Sequence, residues 1–215
     1  MGVPIKFSNE RLLDKQVRVI KGTVKQGVDK DDAWFYELVK RSTVFFDVGA
    51  NIGYTALIAK LTDPARPVVL VEANKEALSF AARNLIYNGL VDFVSFEPIL
   101  LGDTERTNVE FFTIGVGAAG SMNASHAETA AAVGASQFLN MTTLDNLVQK
   151  LDLIPDFVKI DVEGAENLVL QGAAQLATRR KTRFLIEMHH SNQTPMEVMG
   201  NNLLLWCETY RHKAW

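Results

Sequence analysis

Several apolar runs in this sequence end on acids or histidines. Asp47 lies at the end of TVFFDV, Glu72 closes PVVLVE (67–72), Asp161 stands in FVKIDV (157–162), and Glu187, His189 and His190 end RFLIEMHH (183–190). Carboxylates so placed accept hydrogen bonds from hydroxyl or amino groups. A histidine near its ordinary pKa of about 6.5 takes up a proton at neutral pH. Lys159 and Asp161 are two apart, so in a strand they share a face. A buried lysine there needs a partner, and Asp161 or Glu187 is the natural one. Glu163 and Glu166 flank Gly164 at a helix start, where carboxylates meet the positive end of the dipole. Glu163 is expected to face a cleft, and Glu166 to act only as a helix-start residue. His189 shares a face with Glu187 and is preferred over His190. Asp161, Glu163, Glu187 and His189, supported by Lys159, could hold a hydroxylated acceptor and remove its proton. A purely structural ion-pair cluster is the plain alternative. Asp161, Glu187 and His189 could also collect a divalent metal; that is left open, and no metal is predicted.

The glycines in FFDVGANIGYTALIAK (45–60) decide what the first strand-to-helix turn can hold. A dinucleotide turn needs G-x-G-x-x-G, whose second glycine lets backbone touch a pyrophosphate. Here Gly49 is followed by Asn51 and Tyr54 at the two later glycine positions, so side chains stand where phosphate would press. No Lys-Ser/Thr pair follows Gly53, which excludes a P-loop. What remains is a tight turn with bare backbone at Gly49 and Gly53, and Asp47 just before it. Glu72, nineteen residues after Gly53, suits the two hydroxyls of a ribose. This pattern describes S-adenosylmethionine better than NAD. A glycine turn serving only chain reversal is the alternative.

These residues need elements to hold them at one edge. TVFFDV, PVVLVE, DFVSFEPIL (92–100), FVKIDV and RFLIEMHH read as five strands, and continuous apolar runs suit buried parallel strands. Tyr54, Leu57, Ile58 and Leu61 form a stripe at helical spacing, and KEALSFAARNLIYNG reads as a helix stopped at Asn88-Gly89. TTLDNLVQK opens a short helix at Thr143 or Asp145. EGAENLVLQGAAQLA reads as one helix (163–177), and TPMEVMGNNLLLWCETY as the last. NVEFFTI (108–114) is expected to be an inserted edge strand. Residues 115–136, rich in Ala, Gly and Ser, read equally as a plain linker or as a lid over a site. Ahead of these, VRVIKGTV (17–24) suggests a hairpin and DDAWFYELVKR (31–41) a helix. The organisation expected is therefore a lead-in over 1–42 and one domain over 43–215. Strands alternating with helices imply an α/β fold with a doubly wound, mostly parallel sheet. Ligands then bind at the carboxyl ends of its strands.

Bulk properties narrow the function classes. The chain has 215 residues, is 47% hydrophobic and 22% charged, and carries a net charge of −3. No block of like charge offers a nucleic-acid footprint or a polybasic membrane patch, and no run is long enough to span a bilayer. The N-terminus lacks an apolar signal region. One cysteine, Cys207, excludes an internal disulfide framework and reads as a buried structural thiol. The expected location is cytoplasmic.

DVGANIGY (47–54), VEANKEAL (71–78), ILLGDTERTNVEFF (99–112), TTLDNL (142–147), KIDVEGAE (159–166) and IEMHH (186–190) occur here in a characteristic order. Across about residues 43–191 the chain thereby resembles the FkbM-type S-adenosylmethionine-dependent methyltransferases. The resemblance implies a class I methyltransferase, Rossmann-like fold and O-methylation of a hydroxyl on a small acceptor such as a sugar or secondary metabolite. It implies that Asp47, Gly49, Asn51, Gly53 and Glu72 hold the cofactor, with Tyr54, Ala73 and Gly102 beside them. KIDVEGAE would stand where acceptor meets donor. The chain departs from the pattern after His190, where about two dozen residues read as a helix. The last two strands of a class I sheet, 6 and 7, are thus expected to be missing or truncated, leaving an edge that a homodimer could cover. Ala73-Asn74 also replaces a more usual proline. The rival expectations are an inactive S-adenosylmethionine-binding scaffold or truncated remnant, and a nicotinamide oxidoreductase, which Asn51 and Tyr54 disfavour.

Overall fold

The computed structural model describes residues 2–4, 18–20, 30–116, 120–190 and 194–214, with side chains from residue 33 onward. Five parallel strands form the centre. They are β3 (Phe45–Val48), β4 (Val68–Val71), β5 (Val94–Glu97), β9 (Phe157–Ile160) and β10 (Arg183–Ile186), in the order β10-β9-β3-β4-β5. Helices cover both faces of the inner strands, whose residues are apolar apart from Asp47 and Lys159. On one face, α1 (Lys30–Val39), α2 (Tyr54–Thr62) and α3 (Lys75–Tyr87) bury Phe35, Leu57 and Leu85 against Phe45, Leu70 and Phe157. The rings of Phe45 and Phe157 stack at 5.2 Å on neighbouring strands. On the other face, α5 (Leu144–Leu151), α6 (Glu166–Gln171), α7 (Ala174–Thr178) and α8 (Met196–Tyr210) pack on Phe46, Val69, Val158 and Ile160. Trp206 anchors α8 there, its indole N–H donating to Leu170 O at 2.8 Å. Cys207 is buried beside it.

Several elements differ from the sequence expectation. DFVSFEPIL is not one strand: β5 ends at Glu97, and Leu100–Leu101 (β6) joins a separate three-stranded sheet at whose centre runs Ser136–Thr142 (β8). The expected edge strand is β7 (Arg106–Phe112), but it lies in this small sheet, antiparallel to β8 (Ser136–Thr142). β8 gave little signal because only Met141 is buried along it while Phe138 is exposed. The helix expected over 163–177 breaks into α6 and α7 at Gly172-Ala173. There Asp145 N donates to Gly172 O at 2.9 Å, and the Asp145 carboxylate accepts from Gln175 N and Leu176 N. The first turn of α5 thus docks into the break and caps α7.

Residues 120–127 and α4 (Glu128–Ala132) connect the strands of the small sheet and fold over the main one. Most of the expected 17–24 hairpin lies outside the described residues; Arg18–Ile20 (β2) pairs antiparallel with Gly2–Pro4 (β1). Among the described residues no strand pairs with the outer edge of β10. No described helix is long and apolar enough to cross a membrane.

Candidate functional site

The turn after β3 is bound tightly to the strands beside it. Gly49 N and Ala50 N both donate to Val71 O, at 2.9 and 3.1 Å. Gly49 has φ +83°, and a Cβ placed there would stand 1.7 Å from Asp161 O, so the turn rests on the backbone leaving β9. Gly53, at φ +80°, lets α2 approach Ala81 of α3. Asp47 is fully buried beneath the turn and accepts from the Thr55 hydroxyl. It lies in register with Lys159, whose Nζ donates to Asp161 Oδ2 at 2.6 Å. Burial pushes the Asp47 pKa up, against Lys159 and Thr55, which pull it down. Burial would lower the Lys159 pKa, but Asp47 and Asp161 outweigh it and raise the value, keeping the lysine charged.

Above this pair a cleft opens at the carboxyl ends of the strands, lined by Gly49, Asn51, Glu72, Ala73, Asp161 and Glu163. Glu72 accepts from Asn51 N at 2.9 Å and Asn74 N at 2.8 Å. Desolvation raises its pKa, and the two N–H groups offset only part of that rise. Each oxygen keeps a lone pair for a further donor. Phe111, Gly120 and Met122 from the small sheet and its connection form the opposite wall, leaving a volume of about 100 Å³. Four of the residues expected at the cofactor do not line this cleft. Asp47 is beneath it, Gly53 and Tyr54 begin α2, and Gly102 packs against Met141 and Gly172 because β6 has left the main sheet.

Next to the cleft, His189 is ringed by acids. Its Nε2 stands 3.6 Å from Glu163, 3.9 Å from Glu187 and 4.0 Å from Asp161, while Nδ1 is 3.0 Å from Glu166 Oε1. His190 is exposed and outside this cluster. Burial would lower the His189 pKa, but the hydrogen bond to Glu166 and the charges of Glu163, Glu166 and Asp161 raise it. Burial lifts Glu163 and Glu187, the former against the pull of His189 and the latter helped by the nearby Asp161.

Sequence reasoning undervalued Glu166. It is fully buried, accepts from Gly164 N at 3.0 Å, and orients the His189 ring. His126 was missed altogether. Its Nδ1 is 3.8 Å from Glu163 Oε2 and its ring meets that of His189 edge-on at 6.1 Å. Its only local signal was being the one titratable side chain in GSMNASHA (120–127). Oxygen and nitrogen atoms of Asp161, Glu187 and His189 lie within 4.8 Å of one another, a donor set that suits a divalent cation in kind.

No curated protein matches the chain in sequence. Among solved structures it is similar to the methyltransferase FkbM of Methylobacillus flagellatus, at 17% identity and a TM-score of 0.51 over 76% of this chain and 37% of that one. It is also similar to a candidate rRNA methylase of Clostridium thermocellum, at 10% identity and 0.52 over 86% and 81%. A third likeness is an O-methyltransferase of Bacillus cereus solved with S-adenosylhomocysteine, at 13% identity and 0.42 over 76% and 55%. At these identities the first two likenesses are ones of fold alone, and the chain spans about a third of the Methylobacillus protein. The methyltransferase FkbM domain model matches residues 47–212, from the glycine turn to the end of α8. The chain belongs to the FkbM methyltransferase family.

Proposed function

We propose that this chain transfers a methyl group from S-adenosylmethionine to a hydroxyl of a small acceptor, of the sugar or secondary-metabolite kind that the resemblance implies. The observation that carries this reading is that Glu72 at one end and Asp161 with Glu163 at the other line a single cleft. Glu72 has lone pairs left for ribose hydroxyls, and Gly49 and Asn51 present backbone beside it. Val71, Ala77, Ile99 and Leu101 offer an apolar wall to a flat ring. Admitting a nucleoside requires Phe111, Gly120 and Met122 to draw back.

When bound, the cofactor supplies an electrophilic methyl group on a sulfonium. The chain's own task is to bring the acceptor oxygen into line, which contributes several kcal/mol, and to take its proton, worth about 10²–10⁴-fold. His189 Nε2 is the group for that proton. Glu166 fixes Nδ1 as the donor, which leaves Nε2 directed toward Asp161, Glu163 and Glu187. Lys159 holds Asp161 in place from below. Asp161, Glu187 and His189 could hold a metal ion, but no step here depends on one.

The test is calorimetric titration with S-adenosylhomocysteine of the wild type and of Gly49→Leu and Glu72→Ala. Micromolar binding, weakened in both variants, supports the reading. No binding by folded wild-type protein refutes it. Binding with no transfer to any hydroxylated acceptor favours the scaffold, a reading motivated by the outer edge of β10, with which no strand pairs among the described residues.

A further inference from the structure

A second, larger cleft of about 710 Å³ adjoins the first and shares Met122 and Ala165 with it. It lies between residues 121–125, the start of α6 and the first turns of α8. Its volume falls in the range of small-molecule sites, roughly 300–1,000 Å³. Among the described residues its thirteen-residue lining contains no acid or base, in a chain that is 22% charged. What it presents instead is amide groups with capacity to spare. Asn167 donates through Nδ2 to Met199 O and Sδ, and its carbonyl oxygen accepts nothing among the described residues. Asn123 uses its carbonyl for Ser125 N and Oγ, and its NH₂ group has no partner among the described residues. Asn202 lies exposed on α8 in the same lining. Met122, Leu168 and Met199 supply apolar surface between these amides.

We infer that this cleft seats the methyl acceptor, and that the part of the acceptor held there is an uncharged polyol with an apolar face. The inference rests on the methyltransferase reading above and adds to it a place and a charge class. An amide offers a donor and an acceptor on one group, which matches a hydroxyl that is both. A phosphate or carboxylate in this cleft would lose water without gaining a counter-charge. It would also meet Glu163, which lines the neighbouring cleft beside Gly164 and Ala165. An acceptor lying here reaches the first cleft at Met122 and Ala165, next to Asp161 and Glu163.

The test is ligand-observed NMR on the full chain saturated with S-adenosylhomocysteine, using methyl glycosides of six neutral hexoses and the matching uronates. At least one neutral glycoside should bind, ten-fold or more tightly than its uronate. Asn123→Leu and Asn202→Leu should each weaken that glycoside at least five-fold while calorimetric affinity for S-adenosylhomocysteine stays within two-fold. Asn202 is exposed, so its variant keeps the test valid if the other misfolds. Uronates binding as well as neutral glycosides, no glycoside binding, or no effect of Asn202→Leu would each overturn the inference. Loss of S-adenosylhomocysteine binding by the wild type would instead refute the methyltransferase reading, and the two failures are read on separate instruments.

Discussion

Replacing Gly49 by alanine separates backbone strain from close approach, because Gly89 provides a matched control. Both glycines have positive φ, +83° and +67°. An L-residue in that region costs about 1–2 kcal/mol, and this is the whole expected cost of Gly89→Ala, since nothing lies within 4 Å of its added Cβ. At Gly49 the Cβ would stand 1.7 Å from Asp161 O, where real contacts are not found under 3.0 Å. The turn and the end of β9 must therefore part by more than an ångström. Overpacking of this kind adds about 1–3 kcal/mol, for a total of about 2–5 kcal/mol. Most of that range lies below the about 5–15 kcal/mol by which domains are stable, so the variant is expected to fold. Urea unfolding of both variants measures the difference, and calorimetry with S-adenosylhomocysteine reads the cleft. Gly49→Ala should lose clearly more stability than Gly89→Ala and at least ten-fold in affinity, with Gly89→Ala binding like wild type. Equal destabilisation, or unchanged affinity in Gly49→Ala, would refute the role given to this contact.

Glu72→Gln removes a charged acceptor from two backbone N–H groups and from the proposed ribose; at about 1.5–3 kcal/mol for a hydrogen bond to a charged group, calorimetric affinity should fall about 10- to 100-fold. If His189 takes the proton, methyl transfer should rise with pH through an apparent pKa above the ordinary 6.5, because the surrounding acids hold the ring protonated. Glu166→Gln should shift that pKa downward, and a pH-rate profile indifferent to both changes would remove His189 from the reaction. The same raised pKa contributes stability that is complete below pH 6.5 and is lost as pH climbs through the folded-state value, which urea midpoints across that window should show. Lys159→Met leaves Asp47 and Asp161 without their cation and should cost about 3–5 kcal/mol at neutral pH. The loss should shrink in acid, where the raised pKa of Asp47 lets it neutralise first.

The sequence by itself determined the five-stranded parallel core, because runs such as Val68–Val71 are apolar on both faces and only a doubly covered sheet hides both. It also determined that Asp47, Glu72, Asp161 and Glu187 sit at or near the carboxyl ends of those strands, and that the turn at Gly49 and Gly53 has neither the dinucleotide nor the P-loop spacing. Those features are written in neighbouring residues. The tertiary structure alone decided the rest. It carried Leu100–Leu101 into a second sheet, drew β8 from a stretch with almost no buried side, and split α6 from α7 where Asp145 docks. It turned Glu166 from a helix-start acid into the partner of His189. It also brought Ser121 against Glu163, forty-two residues away, setting His126 over the acids and walling the second cleft. Contacts between distant segments depend on the packing of whole layers, and local periodicity carries no record of that.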